Sequence, residues 1–348
     1  MSLIISKSFG SIKRLAKLSV ESVSQFVPLS FLLRLSNSTP LVVLYHAVAD
    51  HELPHVRPLY RHLTTKEFER QVDMLLRQFK PVSLDHVLRW VDGTGSLPAN
   101  AIYLTFDDGL REIAEIVSPI LTRKGVTAAI FVNTAFIDNR DLFYRFKSAL
   151  LISRLVAASS ATINEASSRL AVAGFNGRTM IESINLVTFK ARDVLDDLAV
   201  LVDLDFGEYL QRVKPFMDSA QINKLIDGGF DIGGHSVRHI RYSELSLTEQ
   251  LDETRKDMNE LSSRFALPHR IFAVPFGNTG VSNEFYDSIR REGVVEAVFG
   301  TGGWYHDRRR GLMNRLSLES VPQLSDEDLR RSLGVAMTAR FAKSGGIN

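Results

Sequence analysis

The chain has 348 residues, 45% of them hydrophobic and 24% charged, which is the balance of a globular protein with a substantial core and excludes a disordered one. A formal charge of +2 at pH 7 is too small to argue for a nucleic-acid partner. Without cysteine there is no disulfide, no thiolate metal site and no thiol nucleophile, so any metal chemistry must use histidine and carboxylate.

Residues 1–38 form the first predicted element, an amphipathic helical arm with Ile12, Leu15, Leu18, Val23, Phe26 and Leu29 on one side and Lys and Arg on others. The arm lacks an apolar core followed by a small-residue cleavage site, so it reads as retained and the protein as cytoplasmic. Two roles fit it: a peripheral membrane contact, or packing on the body of the protein. No stretch supplies the roughly 18 to 20 apolar residues of a spanning helix.

From residue 39 to about 322 short apolar runs alternate with helical patterns, the signature of βα units around a parallel sheet. The predicted strands are 41–46, 101–106, 127–132, 230–235, 271–276 and, more weakly, 295–300. Between them, Thr64 with Glu67 and Ser246 with Glu249 mark two helix starts by the capping-box spacing. A third helix is expected from Ile113 to Leu121, ending at Lys124 and Gly125. Residues 140–222 interrupt the rhythm with long helical patterns and no strand, which predicts a helical insertion over one rim of the sheet. Residues 323–348 read as a closing helix and a loose tail.

The reactive side chains collect just beyond the C-terminal ends of these strands. His46 follows the first, Asp107-Asp108-Gly109 the second, His235 and His239 the fourth, and Pro275-Phe276-Gly277 fall at the end of the fifth. In parallel α/β sheets and barrels, that edge is where loops converge into sites. Adjacent carboxylates on an extended segment point apart, so one can bind a cation while the other takes a proton from water; a bare helix cap is the plainer alternative. Two imidazoles four residues apart can reach one metal from a helical turn, although an isolated HxxxH more often marks ordinary histidines. Gly233 and Gly234 before them let the backbone approach a neighbour closely. Two His and one Asp make a three-ligand open site of catalytic type.

In order, LTFDDG, GGHSVRH and FAVPFG resemble the motifs of the polysaccharide deacetylase family with the NodB homology domain, carbohydrate esterase family 4. The resemblance covers roughly residues 40–320 and implies a distorted (β/α)7 barrel carrying the helical insertion. It further implies Asp107 as general base, Asp108, His235 and His239 as ligands of one divalent metal, and backbone N–H groups around Phe276 as oxyanion donors. Zinc leads on ligand type, with iron, cobalt or nickel also accepted by such ligands. Two positions depart from the family pattern: the arginine that steadies the base in many members is Ala273 here, and RLSLES at 315–320 lacks the late Leu-x-His whose histidine protonates the leaving amine. LYHAV at 44–48, however, looks like the Tyr-His motif of the poly-N-acetylglucosamine deacetylase branch, which makes His46 the expected acid, with His306 in reserve. A satisfied strand-end histidine is the alternative reading of His46. Arg315 is the candidate to replace the charge missing at Ala273, and Trp304 to stack on a sugar face or simply to pack. The implied activity is metal-dependent removal of an N-acetyl group from an amino-sugar glycan or glycan precursor; the rival is a catalytically silent carbohydrate-binding protein on the same fold.

Overall fold

A computed structural model describes residues 31, 39–319, 325 and 327–334. The predicted arm 1–38 therefore lies outside the described residues except for Phe31, and of the closing helix 327–334 is described and is helical.

Ten strands are formed: β1 (Leu41–Tyr45), β2 (Lys80–Pro81), β3 (Ala101–Phe106), β4 (Ala128–Val132), β5 (Asp231–Gly234), β6 (Ile271–Ala273), β7 (Ala297–Gly300), β8 (His306–Asp307), β9 (Leu312–Asn314) and β10 (Leu316–Ser317). β1, β3, β4, β5, β6, β7 and β9 pair in that order, all in parallel, and β10 returns to pair in parallel with β1. β9 and β10 are two halves of one strand interrupted at Arg315, so this strand joins β7 to β1 and closes the wall. Counted once, it makes the seventh parallel strand of a distorted (β/α)7 barrel, the expected fold. β2 adds only a short pairing to β3, and β8 pairs antiparallel with β9.

The six predicted strands are present, several shortened at one end. The fifth stops at Ala273 because the chain turns at Pro275 and Phe276, the latter with φ 58°. The seventh carries an arginine at its centre and so lacks an apolar run. Around the wall lie α1 (Thr65–Gln78), α2 (Leu84–Asp92) and α3 (Ser118–Arg123). Between β4 and β5 come α4 (Tyr144–Leu155), α5 (Ser160–Val172), α6 (Met180–Leu186), α7 (Asp193–Leu201), α8 (Phe206–Val213) and α9 (Ser219–Asp227). α10 (Leu247–Arg264) and α11 (Asn283–Arg291) follow. α1 and α10 start with the predicted capping boxes, each cap contributing about 1 kcal/mol. The third predicted helix is correct in place but opens as a π-helical stretch, Ile113–Val117.

The barrel interior is filled by Tyr103, Ala129, Phe131, Ile271, Ala273, Phe299 and Met313. A Cβ at Gly233 would meet ring carbons of Phe131 at 2.7 Å, so the glycine is what lets β5 pass that ring. The insertion is tied to the rim by aromatic packing, with Phe216 stacked on Phe146 at 5.6 Å and on Phe136 at 4.9 Å. Strand register fixes the level of the site. Tyr45 lies opposite Phe106 and Val132 opposite Gly234, so His46, Asp107 and His235 all leave the wall at one rim.

Candidate active site

Asp107 is anchored at that rim by its N–H, which donates to the Tyr45 carbonyl at 3.0 Å. Asp108 takes φ 70°, and this turn sends the neighbouring carboxylates apart. Asp107 faces inward, where Arg315 donates from Nη1 to Oδ1 at 2.6 Å and from Nη2 to Oδ2 at 2.8 Å. Arg315, only 1% exposed, is fixed in turn by the Gly300 carbonyl at 3.2 Å and Thr105 Oγ1 at 3.3 Å, and its guanidinium sits 5.3 Å from the centre of the Phe131 ring. Burial, the largest single influence, would raise the Asp107 carboxyl; the Arg315 charge and hydrogen bonds, joined by His235 and His46, together outweigh it and hold the group below the usual carboxylate range. The strand break and the buried ion pair thus have one cause, since the barrel interior accepts Arg315 only where a carboxylate meets it.

Asp108 points to the histidines. Its Oδ1 lies 3.0 Å from His239 Nε2 and 3.7 Å from His235 Nε2, and the two Nε2 atoms are 3.1 Å apart. The other ring nitrogen of His235 faces the Ala273 carbonyl at 2.8 Å; a carbonyl can only accept, so Nδ1 carries the proton and Nε2 presents a lone pair. Burial also lowers the His235 pKa to about 4, which keeps the ring neutral. Asp108 Oδ1 is buried and accepts no hydrogen bond, although Tyr60 donates to Oδ2 at 3.2 Å. Three buried lone-pair donors that crowd within 4.8 Å of one another suit a divalent cation. A helical turn does not bring the histidines together, contrary to the expectation from their spacing. They stand on an irregular loop in which Ser236 and His239 take positive φ, 65° and 52°.

His46 stands half-buried opposite this cluster. Glu319 grips it twice, accepting from its backbone N–H and lying 2.8 Å from Nδ1. Burial lowers its pKa, but Glu319, and after it Asp108 and Asp107, push it up to about 10. Glu319 was not singled out from the sequence; the one signal for it is the alternation of Leu316 and Leu318 with polar residues in the segment just before it.

A pocket of about 300 Å³ joins these groups, lined by His46, Asp107, Asp108, His235 and His239 together with Tyr60, Val274, Phe276, Gly277 and Thr301. The insertion supplies one wall: Phe143 packs its ring 4.4 Å from that of His239, and Arg145 lines the opening with Arg241. None of these three was anticipated, Phe143 and Arg145 because their role depends on how the insertion folds back, and Arg241 because it lies in the irregular loop after His239. Phe276 is 39% exposed, with its ring 4.6 Å from His239 and positive φ continuing into Gly277 at 105°. Pro275 is buried behind it. Trp304 corrects one expectation. It is 2% exposed and donates its indole N–H to the carbonyls of Thr39 and Pro40, so it packs in the core and offers no face to a sugar. His306 is also placed elsewhere, with Nε2 2.9 Å from the Pro40 carbonyl and Nδ1 accepting from the Asn314 N–H.

Residues 94–297 match the family model described as polysaccharide deacetylase. Among solved structures, the Streptococcus pyogenes deacetylase PplD in complex with acetate is similar at a TM-score of 0.54 and 14% identity, over 84% of this chain and 97% of that one. IcaB from Ammonifex degensii gives 0.53 and 15%, over 86% and 97%. A de-N-acetylase from Aggregatibacter actinomycetemcomitans gives 0.51 and 13%, over 84% and 99%. At such identities these likenesses speak for the fold. No curated protein sequence matches the chain. Among the described residues no helix is long and apolar enough to cross a membrane.

Proposed function

The chain belongs to the polysaccharide deacetylase family and is a carbohydrate N-deacetylase; from that premise we propose that it hydrolyses the N-acetyl group of an amino-sugar glycan or glycan precursor with one divalent cation held by Asp108, His235 and His239. The observation that carries the reading is the meeting of three buried ligand atoms beside a carboxylate already neutralised by its own arginine. When bound, the cation supplies Lewis-acid polarisation of the acetamido carbonyl and lowers the pKa of water. Zinc suits the ligand set best, and iron, cobalt and nickel are compatible with it.

The protein groups divide the remaining work. Asp107, kept ionised and fixed in orientation by Arg315, takes the proton from the water that attacks the carbonyl carbon. The backbone N–H of Phe276 donates to the oxyanion that forms. His46, kept protonated by Glu319, gives its proton to the nitrogen as the C–N bond breaks, releasing acetate and a free amine. Both departures from the family pattern, which favour a silent binding protein, have a counterpart at this site: Arg315 meets Asp107 in place of an arginine at Ala273, and His46 supplies an acid in place of the late histidine.

The test is to purify the protein, measure its metal and screen N-acetylated sugars for acetate release. Asp108→Ala should lose metal and turnover together, whereas Asp107→Asn should keep the metal and lose turnover. Turnover retained by a metal-free Asp108→Ala protein would refute the assignment.

A further inference from the structure

The pocket opens past two guanidinium groups that the deacetylation chemistry does not use. Arg145 lies in the first turn of α4, on the insertion, and Arg241 lies in the loop just after His239; both line the pocket with His46, Asp108 and Phe276. Neutral groups hold Arg145, which donates from Nη1 to the Asn185 carbonyl at 3.2 Å and from Nη2 to Asn185 Oδ1 at 2.8 Å. These bonds use two of its five N–H donors. Arg241 stacks its guanidinium 4.3 Å from the centre of the Phe276 ring, with Nε 3.7 Å from Glu244.

Burial, and beyond it the nearby Arg241 charge, lower the Arg145 pKa from its ordinary value, so the two cations act on each other across the mouth. Glu244 is the carboxylate beside them and offsets part of that repulsion, acting on Arg145 as well as Arg241, while it also accepts from the Phe189 N–H at 3.3 Å. Two like charges held at a partly desolvated rim cost free energy that an anion placed between them would offset, and the guanidinium fork fits phosphate and carboxylate oxygens alike. An uncharged sugar chain would leave standing the part that the single carboxylate of Glu244 does not offset.

Building on the deacetylase reading above, we propose that Arg145 and Arg241 form an anion subsite next to the reacting acetamide, and that the substrate is an N-acetylated sugar bearing a phosphate or carboxylate on or beside the acetylated unit. The insertion would then serve as the specificity element, since it brings Arg145 to a rim otherwise built from barrel loops.

The full-length, metal-loaded protein would be assayed for acetate release from N-acetylglucosamine 1-phosphate, N-acetylmuramic acid and neutral diacetylchitobiose. At least one anionic sugar should exceed the neutral one in kcat/KM by tenfold or more, and which one does so distinguishes phosphate from carboxylate. Arg241→Gln and Arg145→Gln should each raise the KM for that sugar by about ten- to a hundredfold with kcat nearly kept, the size expected for loss of one charge-assisted hydrogen bond. Because Arg145→Gln also breaks the tie to Asn185, Arg145→Lys serves as the charge-preserving comparison and should recover part of the loss. Arg154→Gln, on an exposed position of the same helix, is the control and should change neither constant. Equal kcat/KM for neutral and anionic sugars, or an unchanged KM in Arg241→Gln, would overturn the subsite and leave the deacetylase reading intact. If no sugar releases acetate, the deacetylase reading fails. Calorimetric binding of the same sugars then decides the subsite: anion-selective binding lost in Arg241→Gln supports it, and unselective or absent binding overturns it.

Discussion

Replacing Arg315 by methionine tests the core of the site. The substitution removes both hydrogen bonds to Asp107 and leaves a buried carboxylate without its paired counter-charge. Breaking a buried ion pair by deleting one partner costs about 3–5 kcal/mol. If Asp107 relieves that cost by taking up a proton, the same energy corresponds to about two to four pH units in its pKa. In the native protein the folded Asp107 pKa is depressed, so the group contributes stability above its unfolded value, near 4, that is lost as pH falls through the folded value. In the variant burial is opposed only by the lesser pull of His235 and His46, the folded pKa rises, and stability declines as pH climbs above about 4. Two results are expected. The acid limb of kcat/KM for acetate release moves to higher pH by more than one unit, and the deficit in thermal midpoint against the native protein is larger at pH 8 than at pH 5. Arg315→Lys should fall between the two, because it keeps the charge and loses the fork. A folded Arg315→Met protein whose acid limb stays in place would show that Asp107 is not the base or that Arg315 does not set its ionisation.

Glu319→Gln removes the main group that raises the His46 pKa, so burial should pull that pKa down. The alkaline limb of turnover should move to lower pH, and the stability His46 contributes below about 6.5, which in the native protein fades only as pH rises toward about 10, should be largely gone at pH 7; denaturant melts at pH 6 and pH 9 compare the two proteins. Asp257, buried in α10, has its carboxyl pushed up to about 8 by burial, so its contribution to stability, complete at pH 4, is lost as pH rises through about 8. Asp257→Asn keeps an acceptor for Thr134, whose hydroxyl donates at 2.9 Å, and should raise the thermal midpoint at pH 8.5 but not at pH 4. Gly233→Ala forces a methyl group against Phe131 and should destabilise by about 1–3 kcal/mol, read from a shifted denaturant midpoint.

The strands that frame the site were legible because they are apolar along their whole length, and the ends of such strands mark where loops converge. That logic found His46, Asp107, Asp108, His235 and His239, residues brought to one rim by strand register and by the turns that follow the strands. It failed where a side chain's role depends on a partner distant in the chain. Arg315, named only as a replacement for the charge missing at Ala273, and Glu319, not named at all, lie in a segment too polar to read as a barrel strand, and each is polar because it answers a residue far earlier, Asp107 or His46. Trp304 errs in the opposite sense: of its two readings, a sugar platform or plain packing, the structure agrees with packing, since two backbone carbonyls satisfy its indole N–H inside the core. Phe143 and Arg145 reach the site only because a helical excursion between β4 and β5 folds back across the rim, and no local pattern encodes that return. In this chain local periodicity specifies the wall, whereas the polar groups that set ionisation and line the entrance are held by ion pairs and contacts with residues scores of positions away. The last strand of the barrel shows both at once, because the arginine that breaks its apolar pattern is the residue that clamps Asp107.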